Sequence, residues 1–347
     1  MKEYTVGEST YRLADGLTDF QLGLYMHLVD WKRAHLTEEC GCHKHEGRLI
    51  PYDSMLPAEL KEELQPLYRP IVGRVRTHQQ RFPFKLHKFA GHMASSQMAC
   101  INLFAPLLQH PEVAATVLRS VNPELASVAT DHMDEGLQIE YWPGRGTDRG
   151  PLNDHTRGAG TDSDIGIAYR DHQGRLCLWL IEHKLTEREF TTCGGAVSKG
   201  RTDEHRCEPA ADIVGDHDLC YYHGDAGCGY TYWDITDRHE DVFPRDRLAA
   251  KPECPFKGGM NQLWRNMVLA LAVEDDPDQK YERVHFSVVH HPDNHALEPT
   301  MQAFRELTGG SDRFSHFTSD RVVAAASEVD SPGIQEWAIW YRDLYRV

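Results

Sequence analysis

The chain has no run of 18 apolar residues, which excludes an ordinary transmembrane helix. Its first 30 residues lack the basic, apolar and small-residue succession of an export signal, so a cytoplasmic protein away from the membrane is expected. Positive charge is scarce: 37 Lys and Arg against 53 Asp and Glu leave −16. That balance excludes a protein that coats nucleic acid with its whole surface, because neutralising phosphates takes surplus Lys and Arg. Nine cysteines are present, but none stand at the C-x-x-C spacing of a zinc ribbon, and a reducing compartment argues against a disulfide framework. No internal repeat or low-complexity tract interrupts the chain.

What is present suffices for a real core: 347 residues, 40% of them hydrophobic, make one large domain or two ordinary ones. Charge is also unevenly spread. Between Glu63 and Glu112 there is no acidic residue, whereas Arg69, Arg74, Arg76, Arg81, Lys85 and Lys88 fall there with His78, His87 and His92. Arg74, Arg76, Arg81, Lys85 and Lys88 are candidates for contacting nucleic acid from one locally positive face, against the alternative of ordinary solvated charge.

Periodicity predicts an N-terminal helix over residues 18–35, then a solvated loop holding Cys40, Cys42, His43 and His45. Ser95-Ser96-Gln97 supplies the N-cap of a buried helix that Pro106 interrupts, and Pro111 opens another over 111–120. The period then changes to three strands, 137–142, 165–169 and 175–181, the last two joined by the turn Asp171-His172-Gln173-Gly174. The run RLCLWLI marks the third strand as buried on both faces. Residues 190–256 are rich in Gly, Asp, His and Cys and are expected to form an irregular insertion. A helix over 260–274, a strand over 281–290 and an aromatic helix over 335–345 follow. The expected class is α/β: a central mixed sheet flanked by helices, with a Cys-rich irregular insertion. The expected division is an N-terminal helical extension (1–90), a core (91–300) and a C-terminal helical tail (301–347).

The chemistry concentrates at one strand end. Asp164 begins the second strand, and 18 residues later Glu182-His183-Lys184 closes the third, so a hairpin brings them together. Glu182 and Lys184 share a face and His183 points away. Two carboxylates and an ammonium at a buried sheet edge are costly unless something balances them. A hard divalent cation, Mg2+ or Mn2+, bound by Asp164, Glu182 and the His183 carbonyl would do so, and Lys184 would orient water or stabilise phosphate charge in phosphodiester hydrolysis. The bland alternative is a structural ion-pair cluster.

The stretch TDSDIGIAYRDHQGRLCLWLIEHKLTE, with SSQMACINLFAPL upstream and CPFKGGMNQLWRN downstream, resembles the PGN_0703-like restriction endonucleases of the PD-(D/E)XK superfamily, over about Ser95 to Ala272. The resemblance implies a restriction-endonuclease-like core, magnesium-dependent cleavage of DNA, in restriction or phage defence, and catalytic roles for Asp164, Glu182 and Lys184. It also implies a further acidic or amide residue from the preceding helix, for which Gln97 is the candidate, with Glu140 on the first strand as its rival. Gln262 on the later helix is a further candidate, or simply a surface amide. RNA meets the same backbone chemistry, and a non-catalytic binding module that keeps the fold is the alternative from another class. A homodimer would suit double-strand cleavage, but no residue pattern demands one.

In the insertion, Cys193, Cys207, Cys220 and Cys254 are candidate ligands for Zn2+, or for the four-cysteine [4Fe-4S] cluster that some nucleases of that superfamily carry. Those relatives take one ligand from before the catalytic motif, whereas all four here follow it. Buried free thiols are the alternative.

Overall fold

The computed structural model of the chain describes residues 1–347 except 46, 145–148, 157–159 and 225. The chain opens with the hairpin β1 (Lys2–Val6) and β2 (Ser9–Leu13) and helix α1 (Asp19–His35). Thr18 caps α1 by accepting from the Gln21 N–H, while the Gln21 side chain returns to the Thr18 N–H. The segment expected as a loop is a second hairpin, β3 (Gly41–His45) and β4 (Arg48–Tyr52). Its strands carry His, Lys and Arg in place of an apolar alternation, which hides them from periodicity. Gly41 is required there, since a Cβ would lie 2.1 Å from the Leu56 carbonyl oxygen.

Helices α2 (Ala58–Glu62), α3 (Val72–Arg81), α4 (Ser96–Leu108) and α5 (Pro111–Leu118) come next. Pro106 does not end α4. Proline removes the bond to the carbonyl four residues back, here that of Asn102, and the Trp337 indole N–H takes its place at 2.7 Å.

Strands β5 (Leu125–Val128), β6 (Leu137–Tyr141), β7 (Ser163–Asp171), β8 (Leu176–Lys184), β9 (Arg283–His290) and β10 (Phe314–Thr318) form one sheet in the order β10-β9-β8-β7-β5, with β6 also on β7. β5, β6 and β8 run antiparallel to β7, whereas β8, β9 and β10 are mutually parallel. The mixed sheet of the sequence reading is therefore present. Strand β8 lies at its centre, and every one of its nine residues is buried.

Between β8 and the long helix α9 (Met260–Asp275), the stretch expected to be irregular carries three short helices, α6 (Ala210–Gly215), α7 (Tyr232–Arg238) and α8 (Arg245–Ala249). Ile213, Trp233, Ile235 and Leu248 from these helices are buried in one core with α9. The tail expected to be helical supplies strand β10 as well as α10 (Glu298–Leu307), α11 (Ser319–Ser327) and α12 (Pro332–Tyr345).

The two sheet faces carry separate cores. Ile165, Ile167, Trp179 and Ile181 pack under α1, α4, α5, α11 and α12. Leu178, Leu180, Phe286 and Val288 pack under α7, α8, α9 and α10. The alternation along β8 thus sends odd residues to the first core and even residues to the second. No helix among the described residues is long and apolar enough to cross a membrane.

Candidate active site

The pairing register assembles the site. Ile165 of β7 stands opposite Ile181 of β8, so the next pair outwards, Asp164 and Glu182, face each other from the same side of the sheet. On the other flank of β7, Ile139 pairs with Ile165 and Tyr141 with Ser163, which puts Glu140 beside Asp164. Three carboxylates therefore form a row across three adjacent strands. Like charges opposite one another destabilise a sheet, so this row is a cost unless it serves something. The backbone at Glu140 adds to it: φ is +51°, a left-handed conformation that non-glycine residues rarely hold. The kink also switches the strand's faces, since Ile139 enters the first core and Tyr141 the second.

These groups open into a cleft of ≈ 940 Å³ that is also lined by Lys85, Lys88, Gln97, Trp142, His155, Asp162, Lys184 and Gln262. Lys184 Nζ lies 3.0 Å from Glu182 Oε1. Helix α9 holds the same carboxylate from above: Gln262 Nε2 donates to Oε1 at 2.7 Å and Asn266 Nδ2 to Oε2 at 2.9 Å. Asp164 Oδ2 accepts from the His183 N–H at 2.7 Å. Gln97, at the start of α4, donates to Glu140 Oε1 at 2.6 Å and to the Lys85 carbonyl at 3.1 Å, while its own oxygen accepts from the His87 N–H. It clamps the lysine-bearing loop to the carboxylate row.

The acidities follow the crowding. Burial, then the Glu182 and Glu140 charges, lift Asp164 well above the usual carboxylate range. Burial and the Asp162 charge push Glu140 up to about 8, although the Gln97 amide opposes this. Asp162 is raised by the protein around it and by Glu182. Burial works against the Lys184 ammonium, but the Glu182, Glu187 and Asp164 carboxylates outweigh it and hold the lysine charged. His183, on the opposite face, is pushed down to about 3 by burial and then by Lys184, and neither of its ring nitrogens has a hydrogen-bond partner among the described residues.

Two members of this site escaped the sequence reading. Asp162 stands two residues before Asp164, and Asn266 stands one helical turn after Gln262; the i, i+2 and i, i+4 spacings were the available signals. Of the five basic candidates, the fold brings Lys85 and Lys88 to the cleft wall. Arg74 instead pairs with Glu135 at 2.6 Å, Arg81 with Asp134, and Arg76 donates to the Glu62 carbonyl. Arg74 and Arg81 thereby tie α3 to the turn before β6.

The row at the cleft floor offers carboxylate oxygens, more than the Lys184 charge can balance once they ionise, a set suited to a hard cation such as Mg2+ or Mn2+ rather than a thiophilic one. Among the described residues no three side chains of the His, Cys, Asp and Glu types are grouped so as to hold a metal ion. Asp164 and Glu182 would therefore need a main-chain oxygen, such as that of His183, with water and substrate oxygens to complete a shell. The four candidate cysteines, Cys193, Cys207, Cys220 and Cys254, lie elsewhere, around a small cavity beside Trp264 of α9.

A mixed sheet whose central strand ends in a carboxylate and a lysine, facing an aspartate on the neighbouring strand, defines a candidate hydrolase cleft on an α/β frame. The chain belongs to the family described as restriction endonuclease associating with ARP, which matches residues 27–346. That description names a nuclease, but neither the PD-(D/E)XK superfamily nor the PGN_0703-like group. No curated protein matches the chain, and no solved structure does.

Proposed function

We propose that the protein is a metal-dependent DNA nuclease of the PD-(D/E)XK type, with Asp164, Glu182 and Lys184 at its centre. The observation that carries this reading is the row of carboxylates across three strand ends, left short of positive charge and opening into a cleft of ≈ 940 Å³. Held by Asp164, Glu182 and the His183 carbonyl, Mg2+ or Mn2+ would supply Lewis acidity towards the scissile phosphate and its attacking water.

The chain's own groups do the rest. Lys184, kept protonated by its carboxylate neighbours, places a fixed positive charge where negative charge develops on the phosphate. Gln262 and Asn266 fix the Glu182 rotamer through both of its oxygens, so that carboxylate needs no reorganisation. Glu140 and Gln97 are positioning residues that hold the lysine loop against the floor. Lys85 and Lys88 attract the phosphate backbone into the cleft.

The test is incubation of the purified protein with plasmid, single-stranded DNA and RNA, each with magnesium, manganese or EDTA, beside Lys184→Ala. Metal-dependent cutting of DNA that Lys184→Ala loses supports the reading. Nucleic-acid binding by well-folded protein with no cutting under any metal would make this a binding module, and cutting confined to RNA would move the substrate.

A further inference from the structure

Beside Trp264 of α9, four segments between β8 and α9 meet around a cavity of ≈ 20 Å³, and each contributes a cysteine to its lining: Cys193, Cys207, Cys220 and Cys254. Their backbones are pinned to one another. The Cys254 N–H donates to the Cys207 carbonyl at 2.7 Å, the Cys193 N–H to the Lys257 carbonyl at 3.1 Å, and the Arg206 N–H to the Leu219 carbonyl at 2.9 Å. Cys228, the remaining cysteine of the stretch, does not line the cavity.

Burial raises the Cys193, Cys220 and Cys254 thiols above their ordinary value, so without a metal these sulfurs are held neutral. The backbone N–H groups of Gly195 and Ala196 at Cys193, of Tyr222 at Cys220 and of Phe256 at Cys254 act against that rise. In each case the donor lies two or three residues after the cysteine, a turn that wraps peptide dipoles around a thiolate. Among the described residues the buried Trp233 indole N–H has no hydrogen-bond partner, and its influence falls on Cys220, where it lowers the thiol against the effect of burial. An unmet indole donor beside a neutral thiol is a cost; beside a thiolate it is a strong hydrogen bond. Arg201, Arg206 and Lys257 complete the lining with positive charge.

We propose that Cys193, Cys207, Cys220 and Cys254 form a structural zinc centre, four thiolates around one ion. A tetrathiolate zinc site carries two net negative charges, which the N–H donors and Arg201 oppose, while Arg206 is paired with Asp212 and Lys257 with Glu253. The cavity has room for about one water-sized sphere, the size of a single ion. Among the described residues no three of these sulfurs are grouped so as to hold a metal ion as they stand, so assembly of the centre takes inward rotation of the side chains and loss of their protons to solvent. The centre would close a 62-residue span on itself, counted from Cys193 to Cys254, and so hold short helices that have little stability alone. It also adjoins the cleft: the N–H of Thr191, two residues before Cys193, donates to Gln262 Oε1 at 3.1 Å, and Gln262 holds Glu182.

Metal content of the full-length protein, dialysed against a weak chelator, tests this directly. One zinc per chain is expected, retained in Cys228→Ser and lost in Cys254→Ser and Cys207→Ser. Growth with cobalt should give the intense visible bands of a tetrahedral thiolate site, a readout that stands even where the cysteine variants fail to fold. Four thiols of the native protein reacting freely with a thiol reagent, with no stoichiometric metal, would overturn the proposal. So would iron with acid-labile sulfide at those cysteines.

Discussion

Asp154 and Asp164 stand ten residues apart in the chain, both hemmed in by protein, and titrate in opposite directions. Burial acts to raise both. At Asp154 the hydrogen bonds from His155, Thr161 and Tyr232, with the Arg265 charge behind them, overcome it and hold the carboxyl below its usual value. The Tyr232 hydroxyl lies at 2.7 Å, the Thr161 hydroxyl at 2.5 Å and His155 Nδ1 at 3.1 Å. At Asp164 one backbone N–H and the Lys184 charge face the charges of Glu182 and Glu140, and the carboxyl rises instead. Burial alone therefore does not mark a working acid. The mark is charge that its surroundings leave unbalanced, because a bound cation can then add what the fold withholds.

The sharpest way to break this contrast is to neutralise each aspartate in turn. Asp164→Asn should lower cleavage by about 10³-fold or more, with a melting temperature equal to or above that of the parent, since it removes a like charge. Asp154→Asn should do the reverse, costing about 1–3 kcal/mol of stability through its orphaned donors while leaving cleavage per folded molecule within a few-fold. Denaturant melts and single-turnover cleavage on both variants decide it; loss of activity in Asp154→Asn without loss of stability would erase the distinction.

A second, smaller effect lies in the pH dependence. Glu140, Asp162 and Asp164 have folded values above their unfolded ones, so their contribution to stability is complete below the unfolded carboxylate range. It is lost as pH rises through the folded values, which for Glu140 means about 8. Asp154 has the opposite sign and loses its contribution only as pH falls below the ordinary carboxylate range. Without divalent metal, the melting temperature should therefore decline between about pH 5 and pH 8, and magnesium should restore more of it the higher the pH. Melting curves that are flat over that interval and indifferent to magnesium would remove the unbalanced-charge half of the comparison.

Much of this site was legible in the sequence because it is local. The uninterrupted apolar run before Glu182 announces a strand buried on both faces, and the short turn at Asp171 to Gly174 makes that strand and the one bearing Asp164 a hairpin, so their ends must meet. The missed parts depend on long-range partners. Nothing near Arg74 or Arg81 in the chain shows that Asp134 and Glu135 answer them. The hairpin Gly41–Tyr52 is stabilised by strand pairing and by the close approach of Leu56 to Gly41 rather than by a hydrophobic stripe. The face switch at Glu140 follows from a backbone dihedral, which no periodicity encodes. The helices of residues 210–249 are each seven residues or fewer and owe their form to packing on α9, so their propensities read as loop.

A contrast of position applies to the cations, where the expected effect is smallest. Arg74 and Arg81 lie in the basic stretch that the sequence singles out, yet their charge is taken up by Glu135 and Asp134 on the turn before β6. Lys85 and Lys88, a few residues on, line the cleft. If phosphates enter there, each lysine removed should weaken binding of catalytically inactive Asp164→Asn protein to DNA a few-fold and reduce the slope of log affinity against log salt by about 1, whatever the sequence of the duplex. Arg81→Ala should leave that slope unchanged and instead lower stability by freeing Asp134, a buried carboxylate that His78 Nδ1 also contacts at 2.7 Å. Binding titrations at several salt concentrations separate the two groups. A slope that falls with Arg81 and not with Lys85 or Lys88 would place the nucleic-acid path along α3, outside the cleft.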